Sequence, residues 1–268
     1  MKFKALALTL AVTLSISIGV SASELTNSGF DKYRDRLVEI GHTEEEILQM
    51  EKEYNIKKMS GNVSAIDQVS DVDQVSEVDQ VSEVDQIIID YLEGMEKYKN
   101  VELNKEVIPK PNAEASKLAS TSASTSAITF DMVEPGDIIL EPDRAVNFGH
   151  TSSVYVNTQQ VVEALSGQVS SLNSTLSKWN DFNSRQYWMW VPRYDSYTRL
   201  RTANNGFQYL NKPYSLLASK TDTDKFYCSL LNWRQYKDIG IDLDFDGGPM
   251  VLPFDIYWHD DVAIYLTQ

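Results

Sequence analysis

Residues 128–268 predict an α+β domain, an antiparallel sheet or small barrel packed on helices, preceded by a short helical and low-complexity N-terminal region. Three observations carry that expectation. Apolar runs of strand length recur between turn signals, as in Ile138-Ile139-Leu140 after Glu134-Pro135-Gly136-Asp137. Two longer runs, 194–210 and 226–237, repeat apolar residues at the helical period. All five tryptophans fall between Trp179 and Trp258, so this is the half of the 268-residue chain able to bury a core.

The elements follow in chain order. Lys2 and Lys4 precede an apolar stretch from Ala5 to Val20, and Val20-Ser21-Ala22 fits a small-x-small cleavage site. Residues 1–22 therefore read as a signal peptide, and the mature chain as secreted or in the cell envelope without stable membrane insertion. Residues 23–60 read as short helices. Phe30, Tyr33, Leu37 and Val38 precede a stop at Gly41, and Thr43-Glu44-Glu45-Glu46 caps a run through Ile47, Met50 and Tyr54. Residues 61–107 hold an acidic hexad repeat (DQVSDV, DQVSEV, DQVSEV) and a spacer helix. A valine or isoleucine at every third residue winds round a helix and alternates faces on a strand, so the repeat itself reads as a spacer. Residues 108–127, Pro-rich and then Ser/Thr/Ala-rich, read as a flexible linker.

Within 128–268, the first strand is Ile138–Leu140. Residues 151–156 and 161–164 form the next two, joined by a polar hairpin at Asn157-Thr158-Gln159. A short helix over 172–179 follows, then a strand of large residues over 187–191. The helix over 194–210 turns Arg193, Arg199 and Arg201 to solvent. The helix over 226–237 ends before Gly240, and a final strand covers 261–266.

The net charge is −15, concentrated in residues 24–127, which hold 22 acidic and 11 basic side chains. Neither half is basic, which argues against nucleic acid as a partner.

Cys228 is the only cysteine of the chain. In an exported protein it has no intrachain disulfide partner and is a buried spectator, half of an intermolecular bridge or a reactive thiol. Its expected place at the start of the 226–237 helix favours the thiolate, because the helix dipole and free N–H groups stabilise negative charge. His150 begins one strand of the hairpin and Glu163 lies in the next. Reflection about residues 157–158 brings 150 opposite 164–165, close enough for Glu163 to orient the imidazole. Cys228, His150 and Glu163 are thus the candidate catalytic residues.

Five motifs in order, Pro135-Gly136-Asp137-Ile138-Ile139-Leu140, Gly149-His150, Val161-Val162-Glu163-Ala164, Asn211-Lys212-Pro213-Tyr214 and Tyr227-Cys228-Ser229, resemble those of the circularly permuted papain-like amidases, the YiiX/YaeF-like branch of the NlpC-type superfamily. In that branch the histidine precedes the cysteine, as here. The resemblance covers about residues 130–268. It implies a permuted papain-like domain, Cys228 as nucleophile, His150 as base, Glu163 as third member, and Tyr214 and Tyr227 lining the substrate or oxyanion site. Two positions depart from the pattern: Leu230 follows Ser229 where the family tends to have glutamate, and Asn157 stands where it tends to have glycine.

The expected activity is hydrolysis of an amide bond through an acyl-enzyme, in a cell-wall peptide or an N-acyl amide, so the expected partner is a peptidoglycan fragment or an acylated amine. A catalytically silent cell-envelope binding module on the same fold, and acyl transfer to a lipid or amine, are the alternatives. Residues 24–127 are either a pro-segment over the cleft or a spacer. No cofactor is expected. Calcium is suggested twice, by Asp67, Asp73, Asp79 and Asp85 in the repeat and by Asp242-Leu243-Asp244-Phe245-Asp246-Gly247. The first lacks glycines and the second has Pro253 where a bidentate glutamate belongs. His259, in Trp258-His259-Asp260-Asp261, reads as part of a solvated turn.

Overall fold

The structure is a computed structural model that describes residues 29–66, 81–111, 130–144 and 148–268. The expected signal peptide, most of the hexad repeat and most of the linker lie outside these residues, as do Asp67, Asp73 and Asp79.

Three N-terminal helices come first: α1 (Asp31–Glu39), α2 (Glu44–Ile66) and α3 (Glu83–Tyr98). The capping signal ahead of α2 forms as expected. Thr43 N–H donates to Glu46 Oε2 at 3.0 Å, and Glu46 N–H donates to Thr43 Oγ1 at 3.3 Å. The helices close on Phe30, Tyr33 and Tyr54, all buried, around one buried acid. Both tyrosines donate to Asp85 Oδ1, at 2.8 and 2.9 Å, and Lys58 sits 2.6 Å from Oδ2. An acid in phase with the repeat therefore anchors the helical unit, because its charge is fully hydrogen-bonded.

A six-stranded antiparallel sheet follows, in the order β4-β3-β2-β1-β5-β6. Its strands are β1 (Ile138–Glu141), β2 (His150–Val154), β3 (Gln160–Glu163), β4 (Ser171–Ser174), β5 (Tyr187–Trp190) and β6 (Ala263–Thr267). Between them lie α4 (Thr175–Trp179), α5 (Ser196–Asn205), α6 (Cys228–Lys237) and α7 (Pro253–Trp258). The protein is α+β. One face of the sheet (Ile138, Leu140, Val162) packs with Leu230, Leu231 and Tyr236 of α6 and with the N-terminal helices; the other (Ile139, Val161, Trp188, Trp190) forms a second core with Tyr265.

Four local differences from the sequence reading have physical causes. Leu172-Asn173-Ser174, read as the start of a helix, belong to the edge strand β4; only its ladder with β3 selects the extended state over weak local preferences. Arg199 is buried, not on a solvated face, because its guanidinium reaches Glu134 at 3.0 Å. The short helix α7 opens with Pro253 at its first turn and is fixed by Asp255, whose carboxylate accepts from Leu252 N–H at 2.6 Å. Residues 107–110, at the edge of the linker segment, join the domain: Ile108 N–H donates to Ile264 O, and Lys110 is buried with Nζ 2.6 Å from Asp137 Oδ2.

The N-terminal helices dock on the sheet domain. Gly94 of α3 abuts Leu252, Tyr98 stacks on Phe254 at 4.9 Å and donates to Asp255 Oδ1 at 2.9 Å, and Lys57 pairs with Asp222 at 3.1 Å. Among the described residues, no helix is long and apolar enough to cross a membrane.

Candidate active site

Register explains how His150 and Glu163 meet. Ser153 pairs with Val162 and Val154 with Val161, so Glu163 lies across from Ser152, diagonal to His150 on the same face. His150 Nε2 and Glu163 Oε2 are 2.7 Å apart, both buried. Glu141 faces His150 directly across the β1–β2 ladder.

Cys228 begins α6 on the opposite face. The two meet round the end of the sheet: His150 is the first residue of β2, and its ring acts on the Cys228 side chain electrostatically there. With Nε2 taken by Glu163, Nδ1 is the nitrogen left for the sulfur. The Thr151 backbone N–H also favours the thiolate. Burial alone raises the thiol pKa, but the His150 bond and charge outweigh it and the thiol is lowered. Burial likewise works against a charge on His150, yet the Cys228 and Glu163 hydrogen bonds hold the ring up at about 9. Glu163 is the complement: burial raises it, and His150 and Lys178 bring it down to about 2. The arrangement stabilises a thiolate–imidazolium pair backed by a carboxylate.

Sequence reasoning missed Lys178 and Glu141. Lys178 of α4 is buried, with Nζ 2.9 Å from Glu163 Oε2 and 2.8 Å from Glu141 Oε2. No local signal marks either residue, since each partner comes from a different strand.

The two tyrosines fall in different places. Tyr214 lines a cavity of about 910 Å³ and interacts electrostatically with Cys228. Tyr227 is the N-cap of α6, wholly buried, and its hydroxyl accepts from Val251 N–H at 2.9 Å. Phe148, Ser166, Gly167, Ser215 and Leu216 also line it, with Tyr91 and residues between His42 and Glu53 from the N-terminal segment, whereas Cys228, His150 and Glu163 do not. Tyr91 also interacts electrostatically with the sulfur.

For a metal, one acidic group among the described residues offers carboxylate oxygens within 4.8 Å of each other: Asp244, Asp246 and Asp255. Lys220 and Lys97 already pair with the first two, and Tyr98 and Leu252 N–H bond the third. Asp242, the first acid of that motif, accepts from Trp233 Nε1 at 2.7 Å. His259 caps the end of α7 in a turn, its Nδ1 accepting from Asp261 N–H at 3.1 Å.

No protein-family model and no curated protein matches the chain. Among solved structures, the chain is similar to one of a bacterial protein. It is the metalloprotein YiiX from Escherichia coli O157:H7, at 18% identity and a TM-score of 0.43, over 50% of this chain and 97% of that one.

Proposed function

We propose that the chain is an exported thiol hydrolase of the permuted papain-like kind that cleaves amide bonds. The observation that carries this reading is the 2.7 Å Glu163–His150 hydrogen bond behind an imidazole that acts electrostatically on the Cys228 sulfur, at the head of a ten-residue helix. The thiolate adds to the amide carbonyl, and the developing oxyanion lies near the helix N-terminus and Tyr214. The imidazolium passes its proton to the leaving nitrogen as the C–N bond breaks, leaving a thioester and neutral His150. His150 then takes a proton from water, whose hydroxide adds to the thioester; expulsion of the sulfur releases the acid and restores the ion pair. Glu163 holds the ring with Nδ1 toward the sulfur throughout.

The substrate class is an N-acyl amide or a cell-wall peptide. Incubation with acylated amines and peptidoglycan fragments, followed by mass spectrometry, should show an acyl adduct on Cys228 and loss of product formation in Cys228→Ala. Undiminished hydrolysis by Cys228→Ala defeats the reading. Product diverted to a new amide by excess amine marks acyl transfer instead, and an unreactive thiol at pH 6 marks a silent binding module.

A further inference from the structure

The N-terminal helices place a hydrogen-bonded line in the wall of the cavity that Tyr214 also lines. Glu46 Oε2 lies 3.4 Å from His42 Nδ1, and His42 Nε2 lies 2.6 Å from the Tyr91 hydroxyl. Tyr91 is buried against Phe148, ring centroids 5.1 Å apart, and Phe148 is two residues before His150. All four side chains line the same cavity.

The chemistry of the ends sets the direction of this line. Burial raises the Glu46 carboxyl, but the Thr43 N–H and hydroxyl outweigh it and keep it low, so it is ionised and accepts only. His42 therefore carries its proton on Nδ1. Burial also lowers His42, so the ring is neutral and Nε2 is a bare acceptor. Tyr91 must then spend its hydroxyl proton on Nε2. Its oxygen keeps lone pairs and no proton for a ligand, so toward the cavity it is an acceptor rather than an oxyanion donor.

We propose that Tyr91 is a specificity-determining residue that accepts a hydrogen bond from a substrate N–H, so that the site takes amides bearing a free N–H in preference to esters and N-alkylated amides. The inference rests on Cys228 being the reacting group. It gives the N-terminal helices a constructive role: they complete the substrate site. A buried acceptor left without a donor is costly, and that cost is the source of discrimination. Packing on Phe148 holds the acceptor in a constant position relative to His150.

The test uses the full mature chain and two readouts. The first is kcat/KM for an N-hexanoyl p-nitroanilide, its N-methyl analogue and the matching p-nitrophenyl ester. In Tyr91→Phe the preference for the N–H anilide over the N-methyl anilide should fall about tenfold. The second is the rate of Cys228 alkylation by iodoacetamide relative to N,N-dimethyl-iodoacetamide, each normalised to free cysteine, which needs no hydrolysis. The native ratio should exceed one and drop toward one in Tyr91→Phe. Should that variant fail to fold, His42→Asn is read in the same way. Hydrolysis with both ratios unmoved overturns the role of Tyr91 and leaves the hydrolase standing. Selective alkylation without any amide hydrolysis removes the hydrolase and leaves Tyr91 as an N–H acceptor.

Discussion

Lys178 Nζ lies 2.9 Å from the same Glu163 oxygen that bonds His150, and 2.8 Å from Glu141. One buried cation thus stands between two buried carboxylates, behind the imidazole. Removing one partner of a buried ion pair leaves an uncompensated charge. Lys178→Met should cost about 3–5 kcal/mol in stability by urea denaturation, and Lys178→Met/Glu141→Gln should recover part of it. A denaturation midpoint unaffected by the single change would show that the network carries no net stability.

Glu163→Gln keeps the shape of the third member and removes its charge. The imidazolium loses support, so His150 becomes less basic and the thiol rises with it. The expected outcome is a kcat/KM about 10²-fold lower and an alkylation profile whose midpoint moves to higher pH. A midpoint that stays put would mean the carboxylate does not act on the sulfur through the ring.

The same groups set a window of stability. Glu163 is lower in the folded chain, so its contribution is complete above the unfolded value near 4.5 and is lost as pH falls toward about 2. His150 is higher in the folded chain, so its contribution is complete below about 6.5 and is lost as pH rises through about 9. Both act together between those limits. Denaturation of His150→Asn should show a weaker alkaline decline than the native chain from pH 6.5 to 9; parallel curves would rule out this linkage.

Gly94 has no room for a side chain: a methyl there would collide with Leu252, which is itself buried. Gly94→Ala should push α3 off the sheet domain and cost about 1–3 kcal/mol. Because α3 carries Tyr91, the variant should also speed labelling of Cys228 by a bulky maleimide. Labelling at the native rate would indicate that α3 does not shield the sulfur.

Much of this molecule can be read from its residues in order. The strand at Ile138–Leu140, the helix headed by Cys228 and the capping box at Thr43 all rest on local chemistry: an unbroken apolar run, helical spacing, and a hydroxyl three residues before a carboxylate. The pairing of His150 with Glu163 was also legible, because a short polar hairpin restricts register. The edge strand at Ser171–Ser174 was not, since polar residues adopt it only when β3 offers a ladder.

The chain alone determined where its apolar faces, caps and hairpin fall, and therefore which strand and which helix carry the imidazole and the sulfur. Only the folded molecule decided that Lys178 and Glu141 stand behind them, that Arg199 is buried, and that Tyr91 and His42 line one cavity with Tyr214. The reason is range: periodicity and capping act over a few residues, whereas these contacts join elements far apart in sequence. Burial then changes what each charge costs, and no local pattern records it.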